Sequence, residues 1–232
     1  MASTTSTQDN FSPSSKMFRQ LIIVGAGGHA ISLANVAISA GYEIECFVDK
    51  HPKVPSLVGI KVISDLAEIN CLDDFDFGIA VGDNATRELI YNKLKVKYAN
   101  LNYPTLIHKS AIISSFSNIQ MGTVIMPGAV VGPNSNIGKF CLINTQSSID
   151  HDCLMGDFSS LAPATTTGGA VNIGTRSAIS IGSTIKHGVK IGGDCVVGAN
   201  SYVNKDLPSN TIAYGSPAKI IRTRNTGDPY LF

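Results

Sequence analysis

The stretch SNIGKFCLINTQSSIDHDCLMGDFSSL, residues 135–161, repeats a pattern of six residues in which a small side chain precedes an aliphatic one by two positions. Read at every sixth position from Ile113 to Val203, fifteen of sixteen residues are aliphatic or methionine, and Thr167 is the exception. Neither an α-helix nor an ordinary strand has this period. It is typical of a parallel β-helix in which three hexapeptides form one triangular coil, so the sequence predicts about five coils of 18 residues.

Three of the five cysteines, Cys141, Cys153 and Cys195, occupy the small position of the repeat, where a thiol fills a buried corner. Neither they nor Cys46 and Cys71 form a C-x-x-C pair or a zinc-ligand spacing. We therefore expect no metal site, reduced thiols and a cytoplasmic protein.

The N-terminal half has a different pattern, in which short apolar runs alternate with helix-like stretches, as in βαβ units. The first run leads into GAGGHA at residues 25–30, and Asp49 ends the next run. The glycines of such a G-x-G-x-x-A turn let the backbone approach a phosphate, whose charge the helix N-terminus stabilises. The turn could also be a plain strand–helix connection. An NAD site is disfavoured, because roughly 80 residues are too few for a full dinucleotide fold.

Composition excludes several classes of function. The 232 residues are 44% hydrophobic and 15% charged, with 18 Lys and Arg against 17 Asp and Glu. Balanced charge without a basic run gives no support for binding to nucleic acid or to a membrane surface. No apolar stretch reaches the roughly 18 residues of a transmembrane helix, and the N-terminus lacks the pattern of a secretory signal. We expect no nucleic acid and no membrane among the partners, and a small molecule as substrate.

The patterns divide the chain into four parts. Residues 1–17 are rich in Ser and Thr without periodicity, which predicts a disordered tail. Residues 18–105 are the predicted α/β domain, residues 106–222 the β-helix with its C-terminal segment, and residues 223–232 a C-terminal tail. Because the repeat is unbroken, chemistry must lie on the faces and corners of the prism or between subunits.

Five motifs occur in order along residues 20–222: LIIVGAGGHA (21–30), AVGDNATR (80–87), IHKSA (107–111), NTQSSIDHDCLMGDF (144–158) and YGSPAKII (214–221). They resemble hexapeptide-repeat acyltransferases, and within them the sugar acetyltransferases with an N-terminal nucleotide-sugar-binding domain. UDP-4-amino-sugar N-acetyltransferases and sialic-acid O-acetyltransferases are the most similar branches. The resemblance implies a left-handed β-helix after a Rossmann-like βαβαβ domain, with acetyl-CoA as co-substrate and no metal.

The resemblance also implies that His151 is the general base and Asp152 its acidic partner, a role for which Asp150 could compete. An amine at neutral pH is mostly ammonium and must lose a proton before it attacks a thioester. An imidazole with a pKa of about 6.5 can accept that proton, and a carboxylate can stabilise the imidazolium. The transfer requires no acyl-enzyme.

Two sets of binding residues follow from the same resemblance. Those assigned to the nucleotide sugar are Gly25, Gly27, Gly28, His29, Asp49, Lys50, Gly82, Asn84 and Arg87. Those assigned to acetyl-CoA are Ser160, Gly168, Gly169, Gly198, Ala199, Gly215, Pro217, Ala218 and Lys219. Two positions depart from the family pattern, because Ser160 replaces a second histidine and Lys50 a second acid.

The predicted function is acetyl-CoA-dependent N-acetylation of a nucleotide-linked amino sugar, at C4, for glycan or polysaccharide biosynthesis, by a homotrimer. O-acetylation of a sialic acid or related sugar is an alternative, since the same base suits a hydroxyl. A non-catalytic nucleotide-sugar-binding scaffold is an alternative of another class. So is a γ-type carbonic anhydrase, which needs three zinc histidines where the repeats hold only His151 and His187. Strand spacing places His187 about 10 Å from His151, as a solvated corner residue.

Overall fold

A five-stranded sheet begins the part of the chain that the computed structural model describes, residues 19–230. The predicted tail of residues 1–17 lies outside this part, as do the last two residues of the segment 223–232. The elements of the α/β domain are β1 (Arg19–Val24), α1 (Gly28–Ser39), β2 (Tyr42–Val48), β3 (Ser56–Leu57), β4 (Ile60–Ile63), two 3₁₀ turns (Leu66–Glu68 and Leu72–Asp74), β5 (Asp76–Ile79) and α2 (Asn84–Lys97).

The strands of this sheet are ordered β3-β4-β2-β1-β5. β1 pairs in parallel with β2 and β5, and β2 pairs in parallel with β4, which confirms the predicted α/β domain. β3 and β4 form a hairpin that the sequence pattern did not indicate. The turn after β1 opens at the carboxyl edge of the parallel strands, where α/β domains bind their ligands.

Two-residue strands then follow at intervals of six residues. They are β6 (Leu106–Ile107), β7 (Ile112–Ile113), β8 (Asn118–Ile119), β9 (Val124–Ile125), β10 (Val130–Val131), β11 (Asn136–Ile137), β12 (Leu142–Ile143), β13 (Ser148–Ile149), β14 (Leu154–Met155), β15 (Ser160–Leu161), β16 (Thr166–Thr167), β17 (Asn172–Ile173), β18 (Ala178–Ile179), β19 (Thr184–Ile185), β20 (Lys190–Ile191), β21 (Val196–Val197) and β22 (Tyr202–Val203). Each strand pairs in parallel one coil further on, as Leu142 does with Ser160. The stack is consistent with the predicted left-handed β-helix, and it begins one strand before Ile113.

The short strands form three faces of a prism. Face A holds β6, β9, β12, β15, β18 and β21, face B holds β7, β10, β13, β16, β19 and β22, and face C holds β8, β11, β14, β17 and β20. The aliphatic residues of the repeat point inward, and Ile143, Leu161 and Val197 are completely buried. At the corners the small residues bond to the backbone, as when Ser135 Oγ donates to the carbonyl of Asp150 at 2.8 Å.

The α/β domain is docked on face A and on the corner between faces C and A. Helix α1 packs between its own sheet and face A, in one buried cluster with Val124 and Leu142. At the corner, the rings of Phe140 and Phe158 stack with centroids 5.3 Å apart, and Tyr91 of α2 packs against Phe140 at 4.4 Å. The two domains therefore share apolar contacts in two clusters.

A hairpin closes the last coil. β23 (Thr211–Gly215) adds to face A beside β21, and β24 (Ala218–Thr223) pairs antiparallel with it. The chain then returns towards the α/β domain. On the way Gly227 N donates to Asp194 Oδ1 at 3.0 Å, and Tyr230 N donates to Asp83 Oδ2 at 3.0 Å.

Candidate functional site

The turn that joins β13 to β14 carries His151 and Asp152 on the corner between faces B and C. Asp152 adopts a left-handed backbone conformation (φ 59°), which is less costly for Asp than for most residues, and its carboxylate turns back to the imidazole. Asp152 Oδ2 lies 2.6 Å from His151 Nδ1. Both side chains are 48% exposed, so Asp152 orients a ring that is still partly accessible to solvent.

The geometry distinguishes Asp150 from Asp152 as the acidic partner of His151. Asp150 Oδ1 accepts the backbone N–H of His151, whereas Asp152 contacts the ring. The hydrogen bond to Asp152 is the main reason why the pKa of His151 is raised, with a further contribution from the charge of Asp150. Thr167, the exception in the hexapeptide series, accepts the backbone N–H of Asp150 on Oγ1 at 3.2 Å and so fixes the start of this turn.

A gap beside His151 is formed by Gly169, one coil further along the same corner. A Cβ built on Gly169 would stand 2.5 Å from His151 Nε2, and one on Gly168 would stand 2.8 Å from the backbone nitrogen of His187. The ring of His187 leans into this gap, and its centroid lies 6.3 Å from that of His151. The spacing of about 10 Å predicted for His187 is therefore wrong for the rings, because strand spacing ignores the direction of the side chains.

The glycines after β1 serve two purposes. Gly25 has a left-handed backbone (φ 110°), and a Cβ there would stand 2.9 Å from the carbonyl oxygen of Ala80, so the fold itself requires glycine. Gly27 and Gly28 are exposed, and a Cβ on either would meet nothing within 4 Å. The space above Gly27 and Gly28 is open at the N-terminus of α1, as the approach of a phosphate requires.

Asp49 and Lys50 lie in a cavity of about 370 Å³ at the carboxyl edge of the sheet, which we call the sheet-edge cavity. Asp49 Oδ2 accepts the backbone N–H of Ala26 and so fixes the glycine-rich turn. The remaining lining includes Gly25, Val81, Lys93, Lys97 and Tyr98. The sequence prediction did not include Lys93 and Lys97, although their spacing of four residues on α2 places them on one side of the helix.

A second cavity of about 370 Å³ lies between the two domains and is called the interdomain cavity. His29 and Gly82 line it from the α/β domain, and Ser160 and Ala199 line it from the β-helix, so residues assigned to the two substrates meet there. Its other lining residues are Leu142, Asn144, Ala162, Pro163, Ala178, Ile179, Ser180, Ile181 and Tyr230. Tyr230 was not predicted, because a tyrosine in an aperiodic C-terminal segment carries no positional signal.

His29 is uncharged in this cavity. Burial, with a smaller contribution from the charge of Arg87, lowers its pKa to about 4. Its Nε2 is buried and has no hydrogen-bond partner among residues 19–230.

Asn84 and Arg87 are not available to a nucleotide, which corrects their predicted role. Both are about 1% exposed. The guanidinium of Arg87 donates to the carbonyls of Phe140, Phe158, Val81 and Gly82 and to Asn84 Oδ1, which uses all its N–H groups. Asn84 Nδ2 donates to the carbonyls of Arg176 and Ser177. These two residues join the α/β domain to the β-helix instead.

The remaining residues assigned to acetyl-CoA lie near the end of the β-helix. Gly198 packs against the hairpin, since a Cβ there would stand 2.6 Å from that of Tyr214. Gly215 ends β23, Pro217 lies in the hairpin turn, and Ala218 and the exposed Lys219 start β24. They therefore lie several coils from His151 along the prism axis.

His151 lines neither cavity. It lies on the corner between faces B and C, whereas the α/β domain occupies face A and the corner between faces C and A. One copy of the chain thus presents the imidazole and the two cavities on different sides. Among residues 19–230 there is no group of three or more His, Cys, Asp or Glu side chains that could hold a metal ion, and no helix there is long and apolar enough to cross a membrane.

Comparison with known proteins gives a consistent result for both parts of the chain. Residues 20–94 match the family described as PglD N-terminal domain. A GDP-perosamine N-acetyltransferase of Escherichia coli O157:H7 is 26% identical over 155 residues, which cover 65% of this chain and 69% of the relative.

Two solved structures are similar over nearly their whole length. PerB from Caulobacter crescentus, in complex with CoA and GDP-perosamine, is 32% identical with a TM-score of 0.81, over 88% of this chain and 97% of that one. The acetyltransferase domain of PglB from Neisseria gonorrhoeae FA1090, in complex with acetyl coenzyme A, is 31% identical with a TM-score of 0.82, over 88% of this chain and 100% of that one.

Proposed function

The chain belongs to the family of hexapeptide-repeat sugar acetyltransferases with an N-terminal nucleotide-sugar-binding domain, and we propose that it transfers the acetyl group of acetyl-CoA to the amino group, at C4, of a nucleotide-linked amino sugar. The observation that carries this proposal is the contact of 2.6 Å between His151 Nδ1 and Asp152 Oδ2 on an exposed corner. It orients an imidazole whose Nε2 can accept a proton, which an ammonium substrate requires.

The reaction is a direct transfer. His151 Nε2 takes one proton from the ammonium group, and the neutral nitrogen bonds to the thioester carbon. The carbon–sulfur bond then breaks to release coenzyme A as a thiolate, which takes up the second proton that the nitrogen loses as the amide forms, and the imidazolium returns its proton to solvent. Asp152 stabilises the imidazolium that forms. We assign the backbone of Gly168 and Gly169, beside the ring, to the acetyl group of acetyl-CoA, and Gly198, Gly215, Pro217, Ala218 and Lys219, near the end of the β-helix, to the rest of coenzyme A.

The nucleotide sugar occupies the carboxyl edge of the α/β sheet. The nucleotide binds in the sheet-edge cavity. Its phosphates lie between Lys50 and Lys93 of that cavity and the open turn at Gly27 and Gly28. The sugar binds in the interdomain cavity, which Gly82 and His29 line on the other side of the same strand ends. The two cavities adjoin through the consecutive residues Val81 and Gly82.

A homotrimer completes the site. Because His151 and the cavities lie on different sides of one chain, the base of one protomer must serve the nucleotide sugar bound by its neighbour. A closed ring of three is the natural assembly of a triangular prism. The buried free thiols of Cys141, Cys153 and Cys195 suit the reducing conditions of the cytoplasm, and the acetylated sugar would enter glycan or polysaccharide biosynthesis.

The test is incubation with acetyl-CoA and a panel of UDP-, GDP- and dTDP-linked 4-amino sugars, with mass spectrometry for the gain of one acetyl group. We expect one nucleotide sugar to be acetylated. The product should resist hydroxylamine, which cleaves esters and leaves amides intact. A product that hydroxylamine cleaves would support O-acetylation instead, and binding of the nucleotide sugar without acetyl-CoA turnover would support the scaffold alternative.

A further inference from the structure

The segment after β24 is held in place by several hydrogen bonds to buried groups. Arg224 is 8% exposed and donates from Nη1 to the carbonyl of Asp194 at 3.3 Å, while Gly227 N donates to the Asp194 carboxylate. Asp228 Oδ2 accepts the backbone N–H of Asn225, which closes a turn. Residues 224–230 therefore form an ordered strap, which we call the C-terminal strap.

The strap ends at a phenol that bridges the two domains. Tyr230 OH donates to the carbonyl of Gly82 at 3.1 Å and lies 3.1 Å from Ser160 Oγ, so the Ser160 hydroxyl is free to donate to the phenol oxygen. Burial raises the pKa of Tyr230, so the phenol is protonated at neutral pH and can make both bonds. The ring forms one wall of the interdomain cavity.

The cavity itself points to a ligand independently of Tyr230. Its lining is mainly small and apolar, with Asn144, Ser160 and Ser180 among the polar exceptions. Apolar walls with a few placed polar groups are typical of sites for small molecules. Gly82 lies next to the sheet-edge cavity, so the occupant is the part of the substrate beyond the phosphates.

We propose that Tyr230 is a specificity-determining residue of the sugar site, which limits the size of the sugar substituents and keeps Gly82 and Ser160 at a fixed separation. The inference rests on the proposed function, because it assigns the interdomain cavity to the sugar. Tyr230 lines the cavity assigned to the sugar and His151 of the same chain does not, so we expect Tyr230 to affect the KM for the nucleotide sugar more than kcat.

Tyr230→Ala and Tyr230→Phe test this role. For Tyr230→Ala we expect the KM for the nucleotide amino sugar to rise by about tenfold or more, with a smaller change in the KM for acetyl-CoA, since ring and hydroxyl are both lost. For this variant, the kcat/KM of sugars with a larger substituent should rise relative to that of the best wild-type substrate. Tyr230→Phe keeps the ring and should retain the size preference, with a smaller rise in KM.

Asp228→Ala is the matched control, because it removes a bond within the strap and leaves the Tyr230 side chain in place. We expect its KM for the nucleotide sugar and its substrate preference to equal those of the wild type. A lower KM in Tyr230→Ala, an unchanged KM and preference, or an equal change in Asp228→Ala would each overturn the inference. If the wild-type chain acetylates no nucleotide amino sugar, the proposed function fails together with this inference. If the wild type is active and only the expected effects of Tyr230→Ala are missing, the inference alone fails.

Discussion

Gly169 and His151 are matched in shape: the ring of His151 lies over the α-carbon of Gly169, where a Cβ would stand 2.5 Å from Nε2. The backbone of Gly169 is outside the left-handed region, so a side chain there is excluded by the imidazole alone. Gly169 thus leaves the coil next to the base without a side chain at this corner, which opens a slot between His151 and His187.

Gly169→Ala should displace the imidazole and reduce kcat/KM by about a hundredfold, since misplacement of a base by about 1 Å has effects of this size. The melting temperature should change little, because the ring can move into solvent. Gly193→Ala, at a corner of the last coil without a catalytic residue, is the control and should keep its activity. Equal loss in both variants would show that the effect is general strain of the β-helix.

His151→Ala should lower turnover by about a hundredfold or more, because general-base assistance typically contributes that much. The side chain is half exposed, so the fold and the oligomer should persist, as circular dichroism and gel filtration can check. Near-normal activity would remove His151 from the mechanism. His187→Ala tests the neighbouring ring, and we expect a much smaller loss.

Asp152→Asn should change the pH dependence in a defined direction. A general base works when neutral, so kcat/KM rises as the pH increases through the pKa of His151. The hydrogen bond to Asp152 raises that pKa by stabilising the imidazolium, so its removal should move the acidic limb to lower pH and lower the plateau. Asp150→Asn should shift the limb less, since Asp150 contacts only the backbone of His151. A limb that moves to higher pH would contradict this account.

Arg87→Lys should destabilise the protein rather than weaken nucleotide binding selectively. The guanidinium bonds to five acceptors in the domain interface, and burial lowers its pKa to about 10. A lysine reaches fewer of these acceptors and leaves carbonyls unpaired, so we expect a loss of about 3 kcal/mol in the free energy of unfolding, measured with urea. The control is Arg222→Lys, an exposed position, with a change near zero. A normal unfolding curve with a raised KM for the nucleotide sugar would restore Arg87 as a ligand.

Mixed oligomers test whether the site is shared between protomers. Gly28→Asp places a carboxylate where phosphates would bind, in open space that tolerates the side chain. Alone, this variant and His151→Ala should both be inactive. Co-expressed, they should recover part of the wild-type activity, because an intact imidazole can meet an intact cavity across an interface. No recovery in isolated mixed trimers would place the whole site within one chain.

The architecture could be predicted because it depends on local repetition. The series from Ile113 to Val203 and the glycine-rich turn at residues 25–28 each specify an element through its own residues. The contact between His151 and Asp152 is similarly local, since the residues are consecutive.

What the sequence could not give are contacts made by docking. Arg87 has the residue type of a phosphate ligand, and only the approach of Phe140 and Phe158 shows that its donors are used. The tilt of His187 depends on the missing side chain one coil before it, and the place of Tyr230 depends on a strap without periodicity. Each of these involves residues far apart in sequence, to which a periodic pattern is insensitive.

The regular stacking of coils has a consequence for how such proteins diversify. Every coil of 18 residues has the same cross-section, so loss or duplication of a whole coil leaves both cut ends in matching positions. Such an event between His151 and β23 would shift the terminal hairpin by about 4.8 Å, one strand spacing, while the base stays in place. The reach available to an extended acyl carrier could therefore change in discrete steps during evolution, without redesign of the catalytic corner.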